Sequence, residues 1–145
     1  MSNSIVRILF FIFLSSILTV QTCSAENEQK VYRFICPDIS GGDCNHLLTN
    51  DGKTIRGKAS EYINGAKVGA PVFKGKAPKG APLDLTTGAY KHAGTLYDPD
   101  TGKVSCNYKS LQQYGSFLVS QRDDELKEGV VVESATDEIT IQVDE

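Results

Sequence analysis

The sequence predicts an all-β protein, a small antiparallel sandwich or partly open barrel, on three observations. Short runs of alternating apolar and polar residues recur along the chain, each bounded by turn-forming residues. Two of those turns, Asn64-Gly65 and DPDTG at 98–102, have the composition of tight β-hairpin connections. Beyond the N-terminal apolar run, strong amphipathic helix signals are absent.

The N-terminal run spans residues 5–20 and is interrupted only by Arg7, Ser15, Ser16 and Thr19; QTCSA follows at 21–25. A positive charge, a short apolar core and small residues at a cleavage site describe a secretory signal peptide. Cleavage is expected after Ala25, which leaves 120 residues beginning at Glu26. The apolar stretch 8–20 is shorter than the roughly 20 residues that cross a bilayer, so no stable membrane span is expected after processing. Cys23 is a poor lipidation acceptor, because polar Gln21 and the comparatively large Thr22 precede it. The protein is therefore expected to be exported, to the periplasm or the secreted fraction.

In the mature chain, residues 31–35 alternate and run into Cys36, which suits a first strand. Asp51-Gly52 marks a turn before a strand at 53–58, and Asn64-Gly65 joins 62–63 to 66–73. Between Gly69 and Pro82, Pro and Gly alternate with Lys and Ala, which predicts an exposed crossing loop or a sheet edge. Residues 89–97 and 103–108 flank the DPDTG turn, where Pro99 presets its backbone and Gly102 accepts a left-handed conformation. A further strand is expected at 116–120.

Charge separates the chain into parts. Residues 123–145 hold nine carboxylates against Lys127, a net of −8, while the remaining mature body is +4. This gives a signal peptide at 1–25, an antiparallel β domain at 26–122 and an acidic extension at 123–145. Within the extension, 129–133 and 138–143 flank a short linker, and Ile139, Ile141 and Val143 fall on one strand face, so a terminal hairpin is expected. A solvated acidic tail is the competing reading.

Export makes disulfides the default for spaced cysteines. Cys36, Cys44 and Cys106 remain after processing, which allows one bridge and one leftover thiol in three pairings. Closing the small CPDISGGDC loop from Cys36 to Cys44 is worth roughly 2.5 kcal/mol in a chain-entropy treatment, and a bridge to Cys106, closing on the order of 65 residues, roughly 4 kcal/mol. Energetics lean to the long bridge and leave the pairing open.

A zinc site built from Cys36, Cys44, His46 and His92 or Cys106 uses suitable ligand types, but the chain has no Cys-x-x-Cys and no helical His pair; neither metal nor cofactor is expected. Ser105 or Ser110, His92 and Asp98 supply the residue types of a hydrolase triad without a nucleophile-elbow context, and Asp98 and Asp100 read as turn formers. The protein is not expected to be an enzyme. Nucleic acid is not an expected partner of an acidic chain without a recognised module. Instead, Lys53, Arg56, Lys58, Lys67, Lys74, Lys76 and Lys79 crowd one span with only Glu61 to offset them. Such a patch can meet an anionic envelope polymer, phospholipid headgroups or an acidic protein; edge-strand lysines that discourage aggregation are the bland alternative. The acidic extension can also cover this patch until a partner displaces it.

Cys36-Pro37 after a short strand, the Gly/Lys-rich middle with PVFKG at 71–75, LYD at 96–98, VSCNY at 104–108 and a closing hydrophobic strand resemble a group of small exported bacterial β-domain proteins of unknown function. The resemblance covers about residues 32–121 and implies a compact β domain with Cys36 paired to Cys106 and no established activity. Cys44 and the acidic extension depart from that pattern. The expected function is an exported, non-enzymatic binding or interaction protein of the bacterial envelope or secreted fraction. The alternative is an inhibitor of an envelope-targeting hydrolase such as lysozyme, because YRFIC at 32–36 and KASEY at 58–62 are faintly similar to that group, although its inhibitory loop signature is missing. Titration of lysozyme with the mature chain separates the two.

Overall fold

The computed structural model describes residues 28–49 and 52–145; the expected signal peptide, its cleavage site and Cys23 lie outside them. The alternating runs form β1 (Gln29–Ile35), β2 (Cys44–Thr49), β3 (Gly52–Lys58), β4 (Ser60–Ile63), β5 (Ala66–Gly69), β6 (Val72–Lys76), β7 (Tyr90–Asp98), β8 (Lys103–Ser110), β9 (Phe117–Arg122), β10 (Val130–Ser134) and β11 (Glu138–Asp144). Single 3-10 turns occupy Leu85–Thr87 and Asp124–Leu126. One sheet has the order β10-β11-β1-β4-β5 and the other β2-β3-β6-β9-β8-β7. The pairings are antiparallel, and the two sheets form a sandwich that does not close into a barrel.

Strand alternation sends one set of side chains into the space between the sheets. Tyr32 and Phe34 of β1, with Ile139 and Ile141 of β11, supply one wall; Ile55, Phe73, Val104, Tyr108 and Val119 supply the other. Phe34 and Phe73 meet across the gap with ring centroids 6.2 Å apart. The Cys36–Cys106 disulfide also crosses it, tying the residue after β1 to the middle of β8 over a separation of 70 residues. The small-loop alternative, Cys36 with Cys44, does not form: Cys44 is a buried free thiol at the start of β2, opposite Gly57. A Cβ on Gly57 would lie 2.6 Å from Pro37 and 2.8 Å from the Cys44 sulfur, so glycine is what lets this corner close. The buried Tyr108 hydroxyl donates to the Pro37 carbonyl at 2.6 Å beside it.

Two elements differ from expectation. The run 66–73 is not one hairpin arm: it ends at Gly69, and after Pro71 the chain enters the other sheet as β6. The Pro/Gly-rich segment is therefore not only loop or edge, because β6 lies between β3 and β9. Its prolines sit outside the strand, at 71, 78 and 82, where a missing N–H breaks no ladder. Residues 44–49, where no strand was expected, form β2.

The acidic residues 123–145 complete the five-stranded sheet. β11 pairs with β1 along its whole length, from Gln29 opposite Asp144 to Ile35 opposite Glu138, and β10 flanks it at the sheet edge. Ion pairs link this segment to cations of the body, Glu138 to Arg33 at 2.6 Å and Glu125 to Lys30 at 3.2 Å, and Asp124 pairs within the segment with Lys127 at 3.0 Å.

A pH-dependent contribution follows from the carboxylates near Tyr32. The half-buried Glu61 is pushed above the ordinary range, first by burial and then by Asp123 and Glu125, with Lys30 opposing. Glu125 is held low, because the Tyr32 hydroxyl donates to it at 2.7 Å and Lys30 donates at 3.2 Å. A carboxyl that protonates more readily in the folded state stabilises the fold below its unfolded pKa, and that contribution is lost as pH rises through the folded value. Glu61→Gln is thus expected to raise stability near pH 7 and to change little near pH 3, where the carboxyl is protonated in both states. Urea unfolding at the two pH values checks this.

Candidate functional site

The outward face of the six-stranded sheet is fixed by the same alternation that fills the core. Because Ile55, Phe73, Val104, Tyr108 and Val119 point inward, their strand neighbours lie on the outer face of the sheet. Strand register then decides which of those neighbours meet. Arg56 lies directly opposite Lys74, Lys91 opposite Lys109, and Lys103 opposite Arg122. All six are exposed. Directly opposed side chains of like charge are destabilising on the same scale, roughly 0.2–1 kcal/mol, on which opposite charges help. Arg56 with Lys74 and Lys91 with Lys109 therefore work against the fold, whereas the third pair is offset by Asp98 opposite Lys103 and by Asp124 beside Arg122.

Lys58 and Lys76 extend the face along β3 and β6. From Lys103 to Lys109 the strand advances about 20 Å, and six strands span about 24 Å across. Among the described outward positions of these strands, Asp98 is the one carboxylate. It lies directly opposite Lys103 and also serves its own turn, accepting from the Thr101 hydroxyl at 2.7 Å and the Asp100 N–H at 3.1 Å; the Thr101 bond is the main reason its pKa is lowered, with Lys103 adding to it. Arg122 also reaches Asp124 at 3.3 Å. Between the cation pairs lies an open depression of about 480 Å³ lined by Lys76, Leu96, Asn107, Ser116, Phe117 and Leu118. Leu96 on β7 and Leu118 on β9 stand on either side of β8, with Asn107 between them.

The fold divides the seven cations grouped by sequence. Arg56, Lys58, Lys74 and Lys76 share this face. Lys53 has the opposite strand parity, is part-buried, and donates to the Ala81 carbonyl at 3.5 Å. Lys67 lies on β5 in the other sheet, and Lys79 lies in the loop after β6. The acidic segment's ion pairs with Lys30, Arg33, Arg122 and Lys127 involve none of the seven. Four further members of the face, Lys91, Lys103, Lys109 and Arg122, are scattered in sequence. Their signal was the hairpin itself: once the turn at 98–102 sets the register, alternation places 103 and 109 on one face.

Of the residues with catalytic side chains, Asp98 and Ser110 are held in local turns, whereas the buried His92 Nδ1 has no hydrogen-bond partner. Ser110 accepts from the N–H groups of Gln112 and Tyr114 at 3.1 and 2.9 Å, Ser105 is buried on β8, and His92 packs its ring on Tyr108 at 4.7 Å. His92 is therefore half-covered rather than the solvent-facing residue its sequence context suggests. Of the zinc candidates, Cys36 and Cys106 are joined to each other and the His46 side chain lies outside the description; among the described residues no group of three His, Cys, Asp or Glu is placed to hold a metal ion. No helix among them is long and apolar enough to cross a membrane.

Burial pushes the Cys44 thiol up to about 12. The thiolate is the reactive form. Native protein is therefore expected to react with an aromatic disulfide reagent near pH 8 at least about a hundredfold more slowly than urea-unfolded protein. Equal rates would show that Cys44 is accessible. No family model, curated protein or solved structure matches the chain.

Proposed function

We propose that the protein is an exported, non-enzymatic binding module of the bacterial envelope or secreted fraction, and that it holds a polyanion on the outer face of the six-stranded sheet. The observation that carries this reading is the set of directly opposed cations, Arg56 with Lys74, Lys91 with Lys109, and Lys103 with Arg122. Nothing in a sheet requires like charges at opposed positions, and an anionic group seated over each pair converts repulsion into attraction at both members. The spread of the pairs favours a ligand with many charges over a single small anion. Export is supported by the signal-peptide pattern and by a disulfide of the kind that persists in oxidising compartments.

Titration with inorganic polyphosphate tests the reading. Binding is expected in about 50 mM salt and should weaken steeply towards about 200 mM, because exposed charges are screened within a Debye length. Charge reversal of one pair, Arg56→Glu with Lys74→Glu, is expected to weaken binding about tenfold or more, while Lys67→Glu on the other sheet leaves it within about twofold. Absence of binding at the lower salt, or equal effects of the two substitutions, refutes it.

A further inference from the structure

Resting on the polyanion reading, we infer that the anionic groups are presented by a bilayer, so that this sheet face docks peripherally on an anionic phospholipid surface. The separating observation is apolar. Val72, Leu96 and Leu118 project from the same face with 42%, 54% and 44% of their surface exposed, and Leu96 and Leu118 border one depression amid the cation pairs. A soluble polyanion needs the cations and gains nothing from exposed aliphatic side chains. A membrane interface uses both: lysines and arginines settle on the phosphates while leucines enter the boundary between headgroups and acyl chains.

The rest of the molecule suits that orientation. Glu125, Glu138 and Glu145 gather around Lys30 and Arg33 of the five-stranded sheet or its adjoining turn. Carboxylates thus concentrate towards one layer of the sandwich, while the opposed pairs Arg56–Lys74 and Lys91–Lys109 lie on the outside of the other. A negatively charged surface attracts the second and repels the first, which selects one docking pose. Attachment of this kind requires no spanning segment. The aliphatic contact is small, so binding depends on both contributions together.

Co-sedimentation with vesicles, run beside the polyphosphate titration, tests the inference. The mature chain is expected to bind phosphatidylcholine vesicles containing about one-third phosphatidylglycerol and to ignore pure phosphatidylcholine. Leu96→Gln with Leu118→Gln should weaken vesicle binding about fivefold or more while leaving polyphosphate affinity within about twofold. Lys91→Glu with Lys109→Glu should weaken both. Because the chain contains no tryptophan, Leu96→Trp provides a reporter that does not depend on the glutamine variant folding. Its emission should shift to the blue with anionic vesicles and stay in place with polyphosphate. Polyphosphate binding without vesicle binding, or vesicle binding with an unshifted tryptophan, overturns the membrane assignment and leaves the polyanion reading standing. Failure to bind either probe overturns both.

Discussion

Replacing Cys36 and Cys106 together by alanine is expected to lower stability by about 4 kcal/mol, seen as a fall in the urea midpoint. The bridge closes 70 residues, and the cost of leaving that loop open falls on the unfolded ensemble. Cys106 is fully buried and Cys36 nearly so, so the substitutions also leave a small unfilled space between the sheets. Against a total of about 5–15 kcal/mol for a domain of ordinary stability, the loss is a large fraction. The denaturant slope should rise as well, because an unfolded chain without the cross-link exposes more surface. The contacts on each side of the bridge, Phe34 on Phe73 and Tyr108 on the Pro37 carbonyl, still favour the same arrangement of sheets. The variant should therefore fold to the same structure at low temperature. A midpoint shift worth less than about 1 kcal/mol would show that the unfolded ensemble is compact without the bridge.

What the sequence revealed of this fold depended on how local the determining contact is. The β7–β8 hairpin was readable because Pro99, Gly102 and the flanking alternation lie within one short stretch, and its register runs on to Tyr90 opposite Ser110. Ile139 and Ile141 were readable as one face, and both are buried. What the alternation of β11 does not show is its neighbour: β1 lies more than a hundred residues earlier, and the nine carboxylates suggested a segment set apart from the body. β6 was obscured differently. Pro71, Gly75 and Pro78 carry the composition of a loop, and only the second is within the strand. The cationic face was half legible. Lys67 and Lys74 are neighbours in sequence and belong to different sheets, whereas Lys91 and Lys109 are distant in sequence and directly opposed. Grouping charges along the chain finds clusters that folding disperses, and it misses pairs that register creates.

Gly75→Ala is expected to destabilise the protein by about 3 kcal/mol and to weaken polyanion binding with it. A Cβ at this position would lie 1.8 Å from the Leu118 carbonyl oxygen and 2.8 Å from its carbon, both main-chain atoms of β9 that cannot turn aside as a side chain can. Relief requires β9 to move away from β6. That seam joins β2-β3-β6 to β9-β8-β7, and Lys74 opposite Ser120 is its one registered pair. A displaced β9 drags Phe117 and Val119 out of the core on one side. On the other it shifts Leu118 and Arg122 relative to Arg56 and Lys74, so the spacing between cation pairs changes. Gly69→Ala is the matched control: its Cβ meets nothing closer than the Glu61 carboxylate at 3.6 Å, and its effect should stay within about 0.5 kcal/mol. Urea unfolding compares the two variants, and amide exchange at Leu118 and Val119 locates the damage, with protection falling in Gly75→Ala and holding in Gly69→Ala. If the two variants prove equally stable, the close approach of β9 is not what demands glycine at position 75, and the seam has slack enough to admit a methyl group.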